Sequence, residues 1–255
     1  MVCVTQLGGA CFRRYQRSLE TRGPSSSSST TRSAEVVAYR FSALLALLAL
    51  ALSAFSVSAL AEQDAGASYT LLLKGGIGGK WFLISRSNLS TRNNFGDPFL
   101  GYTGIGLGYQ LTPAFSVRAG YRRAWFRFTD IWQPEDRGYL EAYFADTFNG
   151  FRISNRARIE FRFFDWRDDD IRLRDNITVE APWSLTPLKL RPYLEEEVFF
   201  GTNAGQLEAN WLGGGLAWRP AKGIKVKLGY RWTRFRAGED WANRNVLACS
   251  VNLFF

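Results

Sequence analysis

The sequence predicts an all-β protein, a transmembrane antiparallel up-and-down β-barrel of about ten strands, within a range of eight to twelve, after an N-terminal signal peptide. Four observations favour this class. Segments of about ten residues alternate between apolar and polar side chains. An apolar leader precedes them, and the last alternating segment ends in Phe255. The 9 Trp and 10 Tyr also suit the aromatic girdles at the two interfaces of a membrane.

Residues 1–61 are interpreted as a polar N-terminal extension followed by the signal peptide. Positions 41–58 carry no charge and are rich in Ala and Leu, and Arg40 precedes them, as in the apolar region of a signal. The length would also suit a membrane-spanning helix, but the Ala-Leu-Ala that ends at Ala61 is the small-x-small pattern that a signal peptidase accepts. We expect export through the Sec pathway, cleavage after Ala61, and a barrel domain over 62–255.

The stretch ahead of the signal is polar and of low complexity, and positions 25–31 are all Ser or Thr. Such a stretch cannot bury enough apolar surface to fold. Only a few residues normally precede the apolar region of a signal. We therefore expect translation to start near Val36 or Val37, which N-terminal sequencing of the unprocessed precursor would test.

The alternation is clearest in two neighbouring segments. Over 151–163 the odd positions are mostly apolar, whereas the even positions include four Arg and one Glu. Over 171–180 the odd positions are again mostly apolar and the even positions polar. Over 103–111 the second face consists of Gly and Gln, so small residues line it. Period-two patterns of this kind indicate strands with one apolar face.

Turn residues, among them the hairpin pair Asn149-Gly150, separate the strands. A bulge or a register shift is expected within 206–218, where Trp211 and Leu212 are adjacent and three glycines follow. Counted back from Phe255, the ten predicted strands lie near 80–86, 101–111, 115–128, 139–148, 151–165, 171–181, 188–200, 206–218, 224–235 and 243–255.

An even strand count places both chain ends on one side of the membrane, here the periplasmic side. Every second connection between strands then lies on the outer side, and we expect the longest loops to be among these outer connections. These outer connections lie near 87–100, 129–138, 166–170, 201–205 and 236–242.

The composition excludes several kinds of chemistry. The chain has no His, which removes the commonest general base, the commonest transition-metal ligand and the middle member of a Ser-His-Asp relay. Cys249 is the lone Cys after residue 61, so neither an intramolecular disulfide nor a Cys zinc cluster forms there. The Gly-rich run 75–80 departs from the phosphate-loop motif at Lys74 and Trp81, and no Gly-x-Ser-x-Gly occurs. We expect no catalytic residue, no metal and no cofactor.

If the apolar face of each strand meets lipid, the charged face points into the lumen. Opposite charges there can pair across strands, and they would either fill a narrow barrel or line a selective pore or an anion site. The predicted lumen charge network consists of Arg152, Arg156, Arg158, Glu160, Arg162, Arg172, Arg174, Glu180, Arg191, Glu195 and Glu197. The predicted lipid-facing residues are Ile159, Phe161, Leu173, Ile177, Leu228 and Leu253, and Arg231 is predicted to face inward.

Two acidic stretches have the oxygen atoms that a calcium ion or an acid-base pair needs. One is 195–197 and the other comprises Asp165 and 168–170. Their spacing is unspecific, and alternation places Glu196 on the outward face. We expect Glu196 near the outer rim, where a charge is tolerated.

Three segments, 172–176 (RLRDN), 191–200 (RPYLEEEVFF) and 228–230 (LGY), resemble the bacterial family catalogued as domain of unknown function 2490. The likeness covers most of the chain after the signal, and 191–200 is its most distinctive part. The resemblance implies an outer-membrane barrel with no assigned activity, and it carries over no catalytic residue.

Three functions compete. The first is a structural barrel or a narrow porin-like pore of a Gram-negative outer membrane, surrounded by lipopolysaccharide and lipid. The barrel-assembly machinery would then recognise the strand that ends in Phe255. The second is a soluble secreted β-sheet protein that binds an acidic polymer, which the pI of about 9.7 and the Arg among aromatics at 161–164 would suit. The third is a histidine-free outer-membrane hydrolase, which would need a carboxylate or Lys as its base. We expect no enzyme and no nucleic-acid partner.

Overall fold

The computed structural model describes residues 65–127 and 130–255, and the predicted signal peptide with its cleavage site lies outside them. The described residues form one closed barrel of eleven strands. Among them, no helix is long and apolar enough to cross a membrane. The strands are β1 (Ala65–Gly78), β2 (Trp81–Arg92), β3 (Asp97–Gln110), β4 (Phe115–Arg127), β5 (Trp132–Phe148), β6 (Phe151–Phe164), β7 (Asp170–Glu180), β8 (Arg191–Gly201), β9 (Gln206–Trp218), β10 (Ile224–Ala237) and β11 (Asp240–Phe254).

The barrel closes by a pairing that differs from all the others. Successive strands pair antiparallel from β1 to β11, whereas β1 and β11 pair in parallel, from Ala65 opposite Asn245 to Lys74 opposite Phe254. Parallel closure follows from the odd number of strands, because the first and last then run in the same direction. The start of β1 and the end of β11 therefore lie at opposite ends of the barrel. The expectation that both chain ends share one side is wrong.

The predicted all-β barrel is confirmed, and eleven strands lie within the predicted range. The alternation fails to reveal β1, because its three consecutive leucines at 71–73 and the glycines at 75–76 hide the period of two. The predicted loops 87–100 and 129–138 are also longer than the connections between the observed strands. β2 ends at Arg92, and the next connection occupies only 93–96.

The connections sort to the two ends of the barrel largely as predicted. The connections 93–96, 165–169, 202–205 and 238–239 and the connection between β4 and β5 lie at one end, called the upper end below. The longest connection among the described residues, 181–190, lies at the opposite, lower end. The expectation that the longest loops share the other end is therefore wrong.

The glycines of β3 and β4 give the inner wall room for a large side chain. A Cβ built on Gly106 would lie 2.6 Å from the Tyr139 hydroxyl, and one built on Gly120 would lie 2.5 Å from Tyr139 Cζ. The small face predicted for 103–111 thus packs beneath a Tyr of β5.

The predicted irregularity of β9 is also found. Phe199 pairs with Ala209 whereas Phe200 pairs with Leu207, so Glu208 is an extra residue in the strand. The shift lies beside the upper end and not at Trp211, where the adjacent apolar residues suggested it. A single inserted residue of this kind is a β-bulge.

Candidate functional site in the barrel interior

The interior of the barrel is charged and its outer wall is apolar. On β6, Arg158 and Glu160 are 5% and 1% exposed, whereas Ile159 and Phe161 between and beyond them are 40% and 37% exposed. The division is sharpest from β4 to β8, because other inner faces also carry apolar side chains, such as the buried Phe82 of β2. The buried charged residues are Arg118, Arg122, Glu135, Arg137, Glu141, Arg156, Arg158, Glu160, Arg162, Arg174, Glu180 and Glu197.

The predicted faces agree with this division. Ile159, Phe161, Leu173 and Ile177 are exposed on the outer wall. Leu228 and Leu253 are half-buried at outward register positions, and Arg231 contacts an interior carboxylate. The orientation of these strands is as the sequence predicts.

Glu160 is the centre of the interior charge network. Arg172 lies directly opposite it on β7, and Arg158 is the preceding inward residue of its own strand. Five guanidinium groups thereby surround one buried carboxylate and satisfy its oxygens. They belong to Arg122, Arg137, Arg158, Arg172 and Arg174, at N···O distances from 2.5 to 3.8 Å.

Arg156 extends the network from β5 to β8. Its Nη2 lies 2.6 Å from Glu197, and its Nε lies 3.8 Å from Glu141. Arg118 also binds Glu141, at 2.7 Å, and Arg174 binds Glu197, at 2.6 Å. Each of these carboxylates therefore serves several arginines on different strands.

Glu135 anchors the network near the upper end. Its fully buried carboxylate binds Arg137 of its own strand and Arg162 of β6, the latter at 2.7 Å. Arg162 also contacts Asp170 at 3.4 Å and Glu208, the bulge residue, at 3.8 Å. The bulge in β9 thus brings one more carboxylate to the arginines.

Two smaller clusters lie on the wall formed by β7 to β10. In each, one carboxylate serves two cations. The pairs are Glu180 with Arg219 and Lys225, the latter at 3.0 Å, and Glu195 with Lys227 and Arg231, the latter at 3.3 Å.

Several of the guanidinium groups stack on aromatic rings. Arg122 Cζ lies 4.0 Å from the ring centre of Tyr102, and Arg158 Cζ lies 4.4 Å from that of Tyr139. Stacking of this kind suits the planar guanidinium and leaves its edge free for carboxylates.

The structure brings nine of the eleven residues of the predicted lumen network into these ion pairs. Arg152 and Arg191 stay outside them. Arg152 is exposed as the second residue of β6, and Arg191 is the first residue of β8. Both lie at the lower end, where water solvates a charge, and Glu180 opposite Arg152 already binds other cations.

Sequence reasoning missed the contribution of β4 and of the start of β5. Arg118 and Arg122 share the inner face of β4, and Glu135, Arg137 and Glu141 share that of β5. Glu135 and Arg137 fall in the predicted loop 129–138, whereas Arg118, Arg122 and Glu141 lie in the predicted strands 115–128 and 139–148. Alternation within those two strands could have placed the latter three inward.

Two carboxylates lie in the middle of strands on the outer wall instead. Glu196 is exposed at the sixth of the eleven positions of β8, so the prediction that it lies at the rim is wrong. It accepts a hydrogen bond of 2.9 Å from Asn210 Nδ2. Asp175, in the middle of β7, accepts one of 2.9 Å from Asn155.

The acidic stretches considered as cation sites are dispersed in the fold. Glu195 and Glu197 point inward to separate clusters, and Asp170 binds Arg162. Within 65–127 and 130–255, no group of three or more His, Cys, Asp or Glu is placed to hold a metal ion.

Fold and interior together define an all-β closed barrel with a charged core. The chain belongs to the family described as "Protein of unknown function (DUF2490)", whose sequence profile matches residues 66–244, from β1 into β11. No match to the chain was found among curated proteins or solved structures.

Proposed function

We propose that this chain is a bacterial outer-membrane barrel with a structural role, whose charged interior is a packed core and not an open pore. The observation that carries the proposal is the inversion of the barrel, with apolar side chains outside and buried ion pairs inside. A soluble barrel has the opposite distribution, whereas a membrane barrel has an apolar outer band and a polar interior.

Strand length supports a membrane location. β6 has 14 residues, which at about 3.3 Å per residue span roughly 46 Å along the strand. With the strand tilt of about 40° usual in such barrels, the height is roughly 35 Å. That height exceeds the apolar band of about 25 Å that an outer-membrane barrel presents to lipid.

Aromatic residues near both ends support the same location. At the lower end, the rings of Trp81 and Tyr109 pack edge to face with centres 4.8 Å apart. At the upper end, Trp125 and Trp132 are 37% and 41% exposed. Trp and Tyr are enriched at the two interfaces of a membrane, where an apolar ring with a polar edge is favoured.

The burial of the network supports a packed interior. Glu135, Glu160 and Glu180 are each 1% exposed. Barrels of about this strand number have an interior that side chains can fill. We therefore propose the structural role over the narrow pore, and we expect no conductance steps from the purified protein in planar bilayers. Steady, salt-dependent conductance would instead support the pore.

Cell fractionation with two spin labels tests the location. The protein is expected in the outer-membrane fraction with heat-modifiable migration on a gel. A label at Phe161, on the outer wall, should be relaxed by oxygen dissolved in lipid. A label at Ser154, which points inward without an ion pair, should not be. Recovery from the periplasm without detergent, or equal response of both labels, would contradict the proposal and favour the soluble polymer-binding protein.

We further propose that the barrel is not an enzyme and that the assembly machinery recognises its last strand, Asp240–Phe254. The hydrolase alternative is tested by turnover of phospholipid, lipid A or peptide. Activity that disappears in Glu195→Gln would support the hydrolase. Deletion of Phe255 is expected to reduce assembly into the outer membrane while leaving folding into detergent micelles intact.

A further inference from the structure

The connection between β7 and β8 is apolar although it is exposed. Residues 181–190, called the β7–β8 hairpin below, read APWSLTPLKL. Trp183, Leu185 and Leu188 are 54%, 59% and 57% exposed. Connections usually carry Gly, Asn, Asp and Ser, which suit turns and water. An exposed apolar patch in place of such residues indicates a surface that contacts lipid or another protein.

Backbone hydrogen bonds give the β7–β8 hairpin a defined shape. Leu185 N donates to Leu190 O at 2.9 Å, and Lys189 N donates to Thr186 O at 2.9 Å. The second bond closes a four-residue turn in which Leu188 is the third residue. Lys189 has a positive φ of 59°, which is uncommon for a residue with a Cβ. Leu188 therefore lies at the tip of an ordered turn.

The hairpin packs against the outer wall of the barrel. The ring of Trp183 packs edge to face on that of Phe151, with centres 5.6 Å apart, and Phe151 is at an outward position of β6. Phe148, opposite Phe151 on β5, is 69% exposed. A Cβ built on Gly150 would lie 2.9 Å from Pro182 Cβ, so the hairpin contacts the turn between β5 and β6. The apolar surface of the hairpin is thus continuous with that of the outer wall.

The connections at the two ends of the barrel differ in charge. Those at the lower end, 79–80, 111–114, 149–150, 181–190 and 219–223, carry no carboxylate and four cations, at Lys80, Lys189, Arg219 and Lys222. Within the described residues, the upper connections carry one Arg and five carboxylates, at 130, 165, 168, 169 and 239. The apolar hairpin therefore lies at the basic end.

Apolar side chains beside exposed Lys suit the interface of an anionic membrane. Trp and Leu enter the boundary between headgroups and acyl chains, while Lys is attracted to the phosphates. Lys189, which directly follows the apolar tip, and Lys222 are both exposed. Lipid suits this surface better than a protein partner, because lipid that covers Phe148 on the outer wall would also reach the adjoining Trp183.

We propose that the β7–β8 hairpin binds anionic phospholipid at the lower end of the barrel. Trp183, Leu185 and Leu188 enter the interface of the bilayer, and Lys189 contacts headgroup phosphates. The inference rests on the proposed membrane location and adds a specific lipid contact to it.

Spin labels at two matched turn positions test the lipid contact. Ala204 is the matched control for Leu188, because it is the third residue of the turn 202–205 at the other end of β8, closed by the same kind of hydrogen bond at 3.2 Å. Leu188→Cys, Ala204→Cys and Phe161→Cys are made in the full chain with its 3 native Cys replaced by Ala. Each is folded into vesicles of phosphatidylcholine and phosphatidylglycerol. Oxygen should relax the labels at 188 and 161 more than a water-soluble nickel chelate does, with the reverse at 204.

The three labels separate this inference from the location on which it rests. If the label at 188 behaves like that at 204 while the label at 161 responds to oxygen, the inference is overturned and the location stands. If the label at 161 responds mainly to the nickel chelate, both are overturned. A label at 188 that neither reagent reaches would overturn the lipid contact in favour of a protein partner.

Spin-labelled lipids test the role of the Lys side chains. The unchanged chain should immobilise phosphatidylglycerol in preference to phosphatidylcholine, and the preference should fall about twofold when Lys189→Gln and Lys222→Gln are combined. Arg167→Gln, in the upper connection 165–169, is the control and should keep the preference. Heat-modifiable migration checks that each variant is folded. The anionic selectivity is overturned if the unchanged chain shows no preference, or if the folded double variant retains it in full.

Discussion

Removal of the Glu160 charge is the sharpest perturbation of the interior, because Glu160→Gln keeps the size of the side chain. Three of its five arginines would retain another carboxylate. Arg122 would retain none, and Arg172 would keep only Glu208, at 3.8 Å. Loss of one partner from a buried ion pair costs about 3–5 kcal/mol, because an uncompensated charge stays buried. We expect the free energy of unfolding to fall by about that amount.

Urea titration of the protein folded in lipid vesicles, followed by Trp fluorescence, measures this loss. The matched control is Asp136→Asn, which removes a carboxylate from the outer-wall pair with Arg123, whose side chains are 37% and 44% exposed. Asp136 is the fifth residue of β5, near the upper end, where a charge in a membrane barrel costs about 0–1 kcal/mol, so the control should change the free energy of unfolding by no more than about that amount. Equal losses in the two variants would refute the view that the interior is a charge-balanced core.

Three further predictions concern packing and the outer wall. Gly120→Ala should destabilise the fold by about 1–3 kcal/mol in the same titration, because its Cβ would lie 2.5 Å from Tyr139 Cζ. Gly138→Ala is the control and should leave stability unchanged, because no atom lies within 4 Å of a Cβ at that position. Ile159→Arg should cost about 2–4 kcal/mol in vesicles if the outer wall meets lipid, and a neutral result would argue for a soluble barrel. Glu196→Gln should leave stability in vesicles unchanged or raised, since it removes an outer-wall charge and keeps the acceptor for Asn210; a loss above about 1 kcal/mol would contradict this prediction.

The faces of β6 and β7 could be predicted from the sequence because their alternation is broken only at Asn155 and Asp175. Arg158, Glu160 and Arg174 each follow an outward apolar residue, so the period of two alone directs them inward. The ion-pair partners could not be predicted in the same way. Arg158 binds Glu141 only because β5 and β6 pair in a register that sets the two residues opposite each other. That register depends on the hairpin at Asn149-Gly150.

β1 is absent from the ten predicted strands for a physical reason of a different kind. β1 is identified by its partners and not by its own pattern. It lies between β2 and β11, and its inner face carries Gly66, Ser68 and Thr70, which do not contrast with an apolar outer face. Without β1 the number of strands is even, and an even number led to the wrong expectation that both chain ends lie at the same end of the barrel.

The outer-wall carboxylates Asp175 and Glu196 are the features that fit the proposed lipid-facing wall least well. A hydrogen bond from Asn lowers the cost of each charge without removing it, and Asp and Glu cost less than Arg at such sites. A slip of one residue would turn both inward, but it would also turn every other side chain of these strands around. Arg174 and Glu197, paired at 2.6 Å in the interior, would then face outward, while Ile177, 41% exposed on the outer wall, would enter the charged network. The buried ion pairs thus fix the register, and two exposed carboxylates are the lesser cost.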